Sequence, residues 1–211
     1  MPWEFSLLSR TLQKKELGEF FSAQWTRTTL CRCLRGYFGE IETDTPFRVG
    51  TDVPFYYDPT DRLARVVPDV YAVKGVDPDE QIRSFRVFER GVRPFLVVHL
   101  IEEPISAEDG LMMHFSRLGV QDVVLYDPLW FLQSERNPQG RRLLWHFQRR
   151  EEKLQLVPLK HPGRVPLSAL GLTLLHRGGG ELRVYVGATE ESPKEDSRWL
   201  LPEERTGRGT E

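Results

Sequence analysis

Cysteine is scarce in this chain, and this scarcity limits the kinds of site that the chain can build. Two cysteines occur among 211 residues, Cys31 and Cys33, with one residue between them. Neighbours that close point to different sides of a strand or helix, which disfavours a disulfide between them. No second Cys or Cys/His pair is available to complete a structural zinc site. We therefore expect two reduced thiols, as is typical of a cytoplasmic protein.

Long apolar runs and a charge excess of one sign are absent as well. The 29 Lys and Arg residues are balanced by 31 Asp and Glu residues, for a formal net charge of −2. This balance argues against a dedicated polybasic protein, although it does not exclude a local basic groove. Apolar runs such as residues 123–126 are far shorter than the ~18 residues that a membrane span needs. The first ten residues lack the basic and apolar regions of a secretory signal, so we expect no membrane association.

What the chain does contain is an alternation of helical and strand patterns. Apolar spacing predicts a first helix over about residues 13–38, and the most apolar run, residues 95–101, predicts a strand buried on both faces. A second helix is expected after Ser106 and before Gly119, a position that favours a helix end. Further strands are expected over residues 46–50, 53–57, 65–73 and 121–126.

The C-terminal part of the chain is richer in antiparallel patterns. Residues 141–150, 153–159 and 182–186 read as strands that are joined by turn sequences. The order of elements predicts an α/β (α+β) domain with a mixed sheet, flanked by helices and extended by C-terminal antiparallel strands. Within it, residues 1–44 would form an N-terminal helical segment and residues 45–189 the main domain. The charged, apolar-poor residues 190–211 are predicted to form a loose tail.

Three sequence blocks occur together in one order. They are VPFYYDPTDRLARVVPDV at residues 53–70, SRLGVQDVVLYDP at residues 116–128, and Leu-Gly-Leu at residues 170–172. With this order and spacing, about residues 48–186 resemble the Uma-two family of restriction endonuclease-like proteins, within the PD-(D/E)XK nuclease superfamily. The resemblance implies a restriction-endonuclease-like mixed sheet and, for an active member, a DNA substrate and a Mg²⁺ or Mn²⁺ cofactor.

The same resemblance implies specific site residues, and several of them are altered. The first acid of the family pattern falls on Asp69, which makes Asp69 the expected metal ligand. The second acid, normally glutamate, falls on His99, and imidazole is a poor ligand for Mg²⁺. The lysine falls on Ile101 by the spacing of the superfamily or on Leu111 by the spacing of this family. The resemblance therefore implies a degenerate catalytic site at Asp69 and His99.

Three functions fit these residues. In the first, the chain is an inactive nuclease relative that keeps a binding or assembly role. In the second, it is an active divalent-metal-dependent DNA endonuclease that uses Asp69 with unconventional partners. In the third alternative it is a purely structural or partner-binding protein. His99 itself reads either as a core histidine whose ring is satisfied by Asp69, or as a metal ligand or general base. We expect the two side chains to lie side by side on adjacent strands in each case.

A basic and aromatic strand is the candidate for contacts with nucleic acid. Strand alternation places Arg142, His146, Gln148 and Arg150 on one face of residues 141–150. Arg142 and Arg150 would contact phosphates if the partner is DNA. The alternative is a solvated outer face over an apolar core. DNA and a second copy of the chain, in a homodimer, are the expected partners.

Overall fold

The helices and strands of the protein were located in a computed structural model, which describes residues 23–41, 45–101, 108–127, 142–177, 181–187 and 199. The helices are α1 (Ala23–Glu40), α2 (Val87–Arg90) and α3 (Glu108–Leu118), and a 3-10 turn covers Ser168–Leu170. The strands are β1 (Phe47–Gly50), β2 (Phe55–Tyr56), β3 (Arg65–Val66), β4 (Val70–Lys74), β5 (Phe85–Arg86), β6 (Pro94–Leu100), β7 (Asp122–Tyr126), β8 (Leu144–Arg150), β9 (Lys153–Val157), β10 (Arg164–Leu167), β11 (Leu172–His176) and β12 (Leu182–Val186).

The main sheet is mixed and has the strand order β1-β4-β6-β7-β8-β9. Strands β6 and β7 are parallel, and the other neighbours in this sheet pair antiparallel. Two smaller sheets accompany it, with the orders β10-β11-β12 and β3-β2-β5. The predicted α+β class, with a mixed sheet and C-terminal antiparallel strands, is confirmed.

Strand β6 lies in the middle of the main sheet because its residues are apolar on both faces. Leu96, Val97 and Val98 are all fully buried, as expected for a strand that is covered on both sides. Helix α3 follows and carries the chain to the parallel neighbour β7, since a parallel pair needs a crossover connection. Gly119 ends this helix with a φ of +82°, a conformation that glycine adopts without steric cost.

Two apolar cores lie on the opposite faces of the main sheet. We call the first the α1 core, since helix α1 and strands β10 to β12 cover it; its members include Leu34, Val98, Val124, Leu144 and Leu172. The second is the α3 core, covered by α3 and the small sheet of β2, β3 and β5; its members include Phe55, Phe85, Val97, Phe115 and Val123. The strand alternation within β6 and β7 therefore sends successive side chains to different cores.

Strands β10 and β11 were not expected from the sequence. Pro166 within β10 argues against a strand, because proline cannot donate to the ladder. It is accommodated here because β10 is an edge strand of the sheet β10-β11-β12. Residues 182–186 consequently pair with β11, and not with the preceding antiparallel strands as predicted.

Several expectations concern the ends of the chain. The first helix is present over Ala23–Glu40, whereas residues 13–22 of the prediction lie outside the described residues. Trp199 is the described residue of the predicted tail; its backbone N–H donates to the carbonyl of Val184 at 2.8 Å, and its ring packs edge-on against Tyr37. Cys31 and Cys33 are free and buried. Among the helices of the described residues, none has the length and apolar character to cross a bilayer.

Candidate functional site

The register of β4 against β6 brings Asp69 and His99 together. Val70 lies opposite Val98 in this antiparallel pair, so Asp69, one residue earlier, comes opposite His99. Oδ2 of Asp69 lies 2.6 Å from Nδ1 of His99. The expected juxtaposition of the two side chains is thus confirmed, while their assignment as catalytic residues stays a prediction.

Both carboxylate oxygens of Asp69 face positively polarised groups. Besides His99, the backbone N–H of Leu100 donates to Oδ2 at 2.8 Å, and Nη1 of Arg27 lies 3.4 Å from Oδ1. Burial by itself would raise the pKa of Asp69, but His99, the Leu100 amide and the Arg27 charge outweigh it and lower the pKa. Asp69 is therefore a stabilised carboxylate.

Arg27 also contacts a second carboxylate. Its Nη1 lies 2.9 Å from Oδ1 of Asp52, so one guanidinium nitrogen is shared by two acids. Asp52 follows β1 in a left-handed backbone conformation, with φ of +56°, and its N–H donates to the carbonyl of Pro68 at 3.3 Å. This hydrogen bond fixes the Asp52 loop beside Asp69. We call Arg27, Asp52, Asp69 and His99 the Asp69 cluster.

The side chains of the Asp69 cluster are partly exposed to solvent. The exposed fraction is 12% for the Asp69 side chain, 24% for His99, 22% for Arg27 and 52% for Asp52. Arg27 and Asp52 had no role in the sequence interpretation. Arg27 lies on a helix far along the chain from Asp69, and Asp52 lies within the resembling region but outside its acidic positions.

The resemblance places a lysine at position 101 or 111, and both side chains found there are aliphatic. Ile101 is buried in the α3 core, and Leu111 packs against the same core from helix α3. The ring of Phe115 contacts His99 edge-on, with 6.0 Å between centroids. The α3 side of His99 is consequently apolar.

A divalent metal ion does not fit the Asp69 cluster as it stands. Mg²⁺ needs several oxygen ligands in octahedral geometry, but the oxygens of Asp69 already face two nitrogen groups and a guanidinium. No group of three or more His, Cys, Asp and Glu side chains capable of holding a metal occurs among the described residues. The site therefore resembles a carboxylate held by cations and amides, and not an oxygen-rich metal site.

The predicted basic face of β8 is interrupted by a buried pair. His146 is buried, and its Nε2 lies 2.7 Å from Oδ1 of Asp122 on β7. The alternative of a solvated outer face is therefore wrong at His146. The reason is that β8 is an inner strand whose even-numbered residues, like Leu144, face the α1 core.

Arg142 and Arg150 are both exposed but lie far apart. Arg150 is eight positions after Arg142, about 26 Å along a strand at ~3.3 Å per residue, so they do not form one cluster. Neither has a contact with the Asp69 cluster in the described part of the chain. Their predicted role in nucleic-acid binding is untested by this geometry.

No family model matches the chain, and no curated protein matches it. One solved structure with a similar arrangement is described as a "putative nuclease belonging to DUF820" from Anabaena variabilis. The two share 12% sequence identity and a TM-score of 0.44 over 69% of this chain and 71% of the other. This similarity is too low to transfer an activity or a site residue.

Proposed function

We propose that this protein is a restriction-endonuclease-like scaffold that has lost nuclease activity and keeps a binding or assembly role. The observation that supports this best is the position of Arg27, whose Nη1 lies between the carboxylates of Asp52 and Asp69. A metal-dependent nuclease needs a divalent cation beside the acid at this strand end. In this chain a side chain of the protein itself supplies the positive charge there.

A guanidinium cannot replace the chemistry of a metal ion. It remains protonated and donates hydrogen bonds, but it does not coordinate a water molecule and lower the pKa of that water. Arg27 therefore compensates the two carboxylates without generating a nucleophile. The role of Arg27 proposed here is therefore structural: its charge stabilises the two carboxylates in the folded protein.

The remaining catalytic parts are also missing from their expected places. Glutamate is replaced by His99, and both positions for the lysine are aliphatic. Removal of one electrostatic donor typically costs ~10²–10³ in rate. The combined changes at the metal ligand and the lysine place any remaining hydrolysis of phosphodiesters many orders of magnitude below that of an active enzyme.

The test is cleavage of supercoiled plasmid DNA by purified protein in Mg²⁺ and in Mn²⁺. We expect wild type and Asp69→Ala to give the same background, because no catalytic metal is held at Asp69. A Glu89→Gln variant, changed at an exposed residue of α2, controls for nuclease contamination during purification. Cleavage that is lost in Asp69→Ala and retained in Glu89→Gln would instead support the active, metal-dependent endonuclease.

A further inference from the structure

An open cleft lies beside the C-terminal end of α1, away from the Asp69 cluster. Its volume is about 740 Å³, and its lining includes Arg35, Phe38, Phe47, Arg48, Asp79 and Glu80. Arg48 lies opposite Val73 in the pairing of β1 with β4. Val73 is four residues beyond Asp69, about 13 Å along the strand. The cleft is therefore a separate surface.

Main-chain carbonyls hold the two arginines of the cleft in place. Nε of Arg35 donates to the carbonyl of Val49 at 2.9 Å, and Nη1 of Arg48 donates to the carbonyl of Pro78 at 2.9 Å. Neither guanidinium forms an ion pair with any carboxylate that the structure describes. Both side chains are thus positioned by neutral acceptors and not by carboxylates.

Arg48 also interacts with the buried hydroxyl of Tyr71. The Nε of Arg48 and the hydroxyl of Tyr71 are both buried. Burial raises the pKa of Tyr71. Arg48 opposes this rise through a hydrogen bond and its charge, and the charge of Arg35 adds a smaller effect. The two guanidiniums therefore place positive charge beside one buried hydroxyl.

The acidic side chains of the cleft do not cancel this charge. Glu80 accepts two hydrogen bonds from Arg90, at 2.6 and 3.0 Å, and these lower the pKa of Glu80 more than the charge of Arg48 does. Asp77 is not part of the cleft lining, and its carboxylate accepts the N–H of Asp79 at 2.8 Å within the same turn. Asp79 is then the cleft carboxylate whose charge opposes the two arginines.

We propose that this cleft binds a phosphate group through the guanidiniums of Arg35 and Arg48. Guanidinium donors match the geometry of phosphate oxygens and form hydrogen bonds that are strengthened by charge. The apolar side chains of Phe38 and Phe47 stack on each other, with 4.3 Å between ring centroids, and form an apolar side of the cleft. The site goes beyond the proposed function, because it needs neither the Asp69 cluster nor any relation to nucleases.

The phosphate can come from a small phosphate ligand or from the backbone of a nucleic-acid strand. Full-length protein is therefore titrated with inorganic phosphate, and the complex is then challenged with a single-stranded oligonucleotide. We expect saturable binding of inorganic phosphate whether the natural ligand is a small phosphate compound or a nucleic-acid backbone. Displacement by the oligonucleotide, with an affinity that falls as salt rises, assigns the strand backbone; lack of displacement assigns a small ligand.

Variants of the cleft decide whether the proposal holds. Arg35→Gln and Arg48→Gln should each weaken phosphate binding about tenfold, the loss expected for one charged hydrogen bond. Asp79→Asn should tighten it, since it removes the opposing charge and keeps the side-chain size. Arg86→Gln, at an exposed arginine already paired with Glu89 at 2.8 Å, is the matched control and should change nothing.

Two results would overturn the proposal. One is the absence of saturable phosphate binding by the wild-type protein. The other is equal binding by wild type and Arg35→Gln together with no gain in Asp79→Asn. These two variants keep the test decisive even where loss of the Arg48 contact to Pro78 prevents folding. Plasmid cleavage has no part in this test, so its outcome is independent of the proposed function.

Discussion

At the scale of single residues, Asp69 takes its properties from its neighbours. Its carboxylate is partly buried, which favours the neutral form, yet His99, the Leu100 amide and Arg27 favour the charged form more strongly. Such a carboxylate adds to stability only while it is ionised. The Asp69 cluster therefore contributes to folding whatever its role in function.

The lowered pKa of Asp69 leads to a prediction about stability and pH. The unfolded chain protonates Asp69 near its ordinary value of about 3.9, whereas the folded chain does so at lower pH. The stability from this group is therefore fully present above that pH and is lost as pH falls through the folded value. We expect Asp69→Asn to be less stable than wild type at pH 7.

Urea unfolding of wild type and Asp69→Asn between pH 7 and pH 3 measures this difference. The gap in free energy of unfolding should be constant from pH 7 to about 5 and should narrow below that. A gap that widens on acidification would mean that folding raises the pKa of Asp69. The account of the cluster would then be wrong at its central residue.

At the scale of elements, the predictable parts are those with strong local patterns. The apolar run of β6 and the apolar stripe of α3 give each element a distinct signal, and Asp69 and His99 follow from pairing β4 with β6. Arg27 and Asp52 could not be found in this way. Their proximity to Asp69 depends on how α1 packs across β1 and β4 and on the hydrogen bond from Asp52 to Pro68. Neither feature produces a periodic pattern in the sequence.

The positions at which the resemblance places a glutamate and a lysine lie on β6 and α3, and substituting both gives the next prediction. His99→Glu with Leu111→Lys places an acid and an amine on the strand and helix that flank Asp69. If the scaffold is that of a nuclease, the added carboxylate lets a metal ion displace the guanidinium of Arg27 from Asp69, and the double variant should bind Mg²⁺ or Mn²⁺ measurably by calorimetry. The two polar groups enter a partly apolar site, so we expect a loss of a few kcal/mol in stability.

Circular dichroism of the double variant must first show a folded protein. His99→Gln with Leu111→Met is the matched control, since it introduces side chains of similar size without charge. A folded double variant whose metal affinity equals that of this control would favour the purely structural or partner-binding alternative.

At the scale of the whole molecule, the two cores on either face of the main sheet hold the fold together. The α1 side includes a buried polar pair, Asp122 and His146 on β7 and β8, in which both side chains are nearly fully buried. Gln148 adds a weaker contact to Oδ1 of Asp122 at 3.4 Å. The pair lies between inner strands, so its loss affects the centre of the sheet.

We predict that His146→Ala destabilises the protein by about 3 kcal/mol, because it leaves the buried Asp122 without its principal partner. Asp122→Ala with His146→Ala should cost less than the sum of the two single variants, as expected for groups in direct contact. Chemical unfolding of the four proteins measures both effects. A loss below about 1 kcal/mol for His146→Ala would show that the pair contributes little to stability.

The claim that Arg27 takes the place of a metal ion concerns the function of the whole protein, and a calorimetric titration with Mn²⁺ tests it most directly. We predict no saturable binding by wild type or by Arg27→Lys, which keeps the positive charge. Arg27→Ala should bind Mn²⁺, since it frees the facing oxygens of Asp52 and Asp69 beside His99. Saturable Mn²⁺ binding by the wild type that is lost in Asp69→Asn would contradict the account.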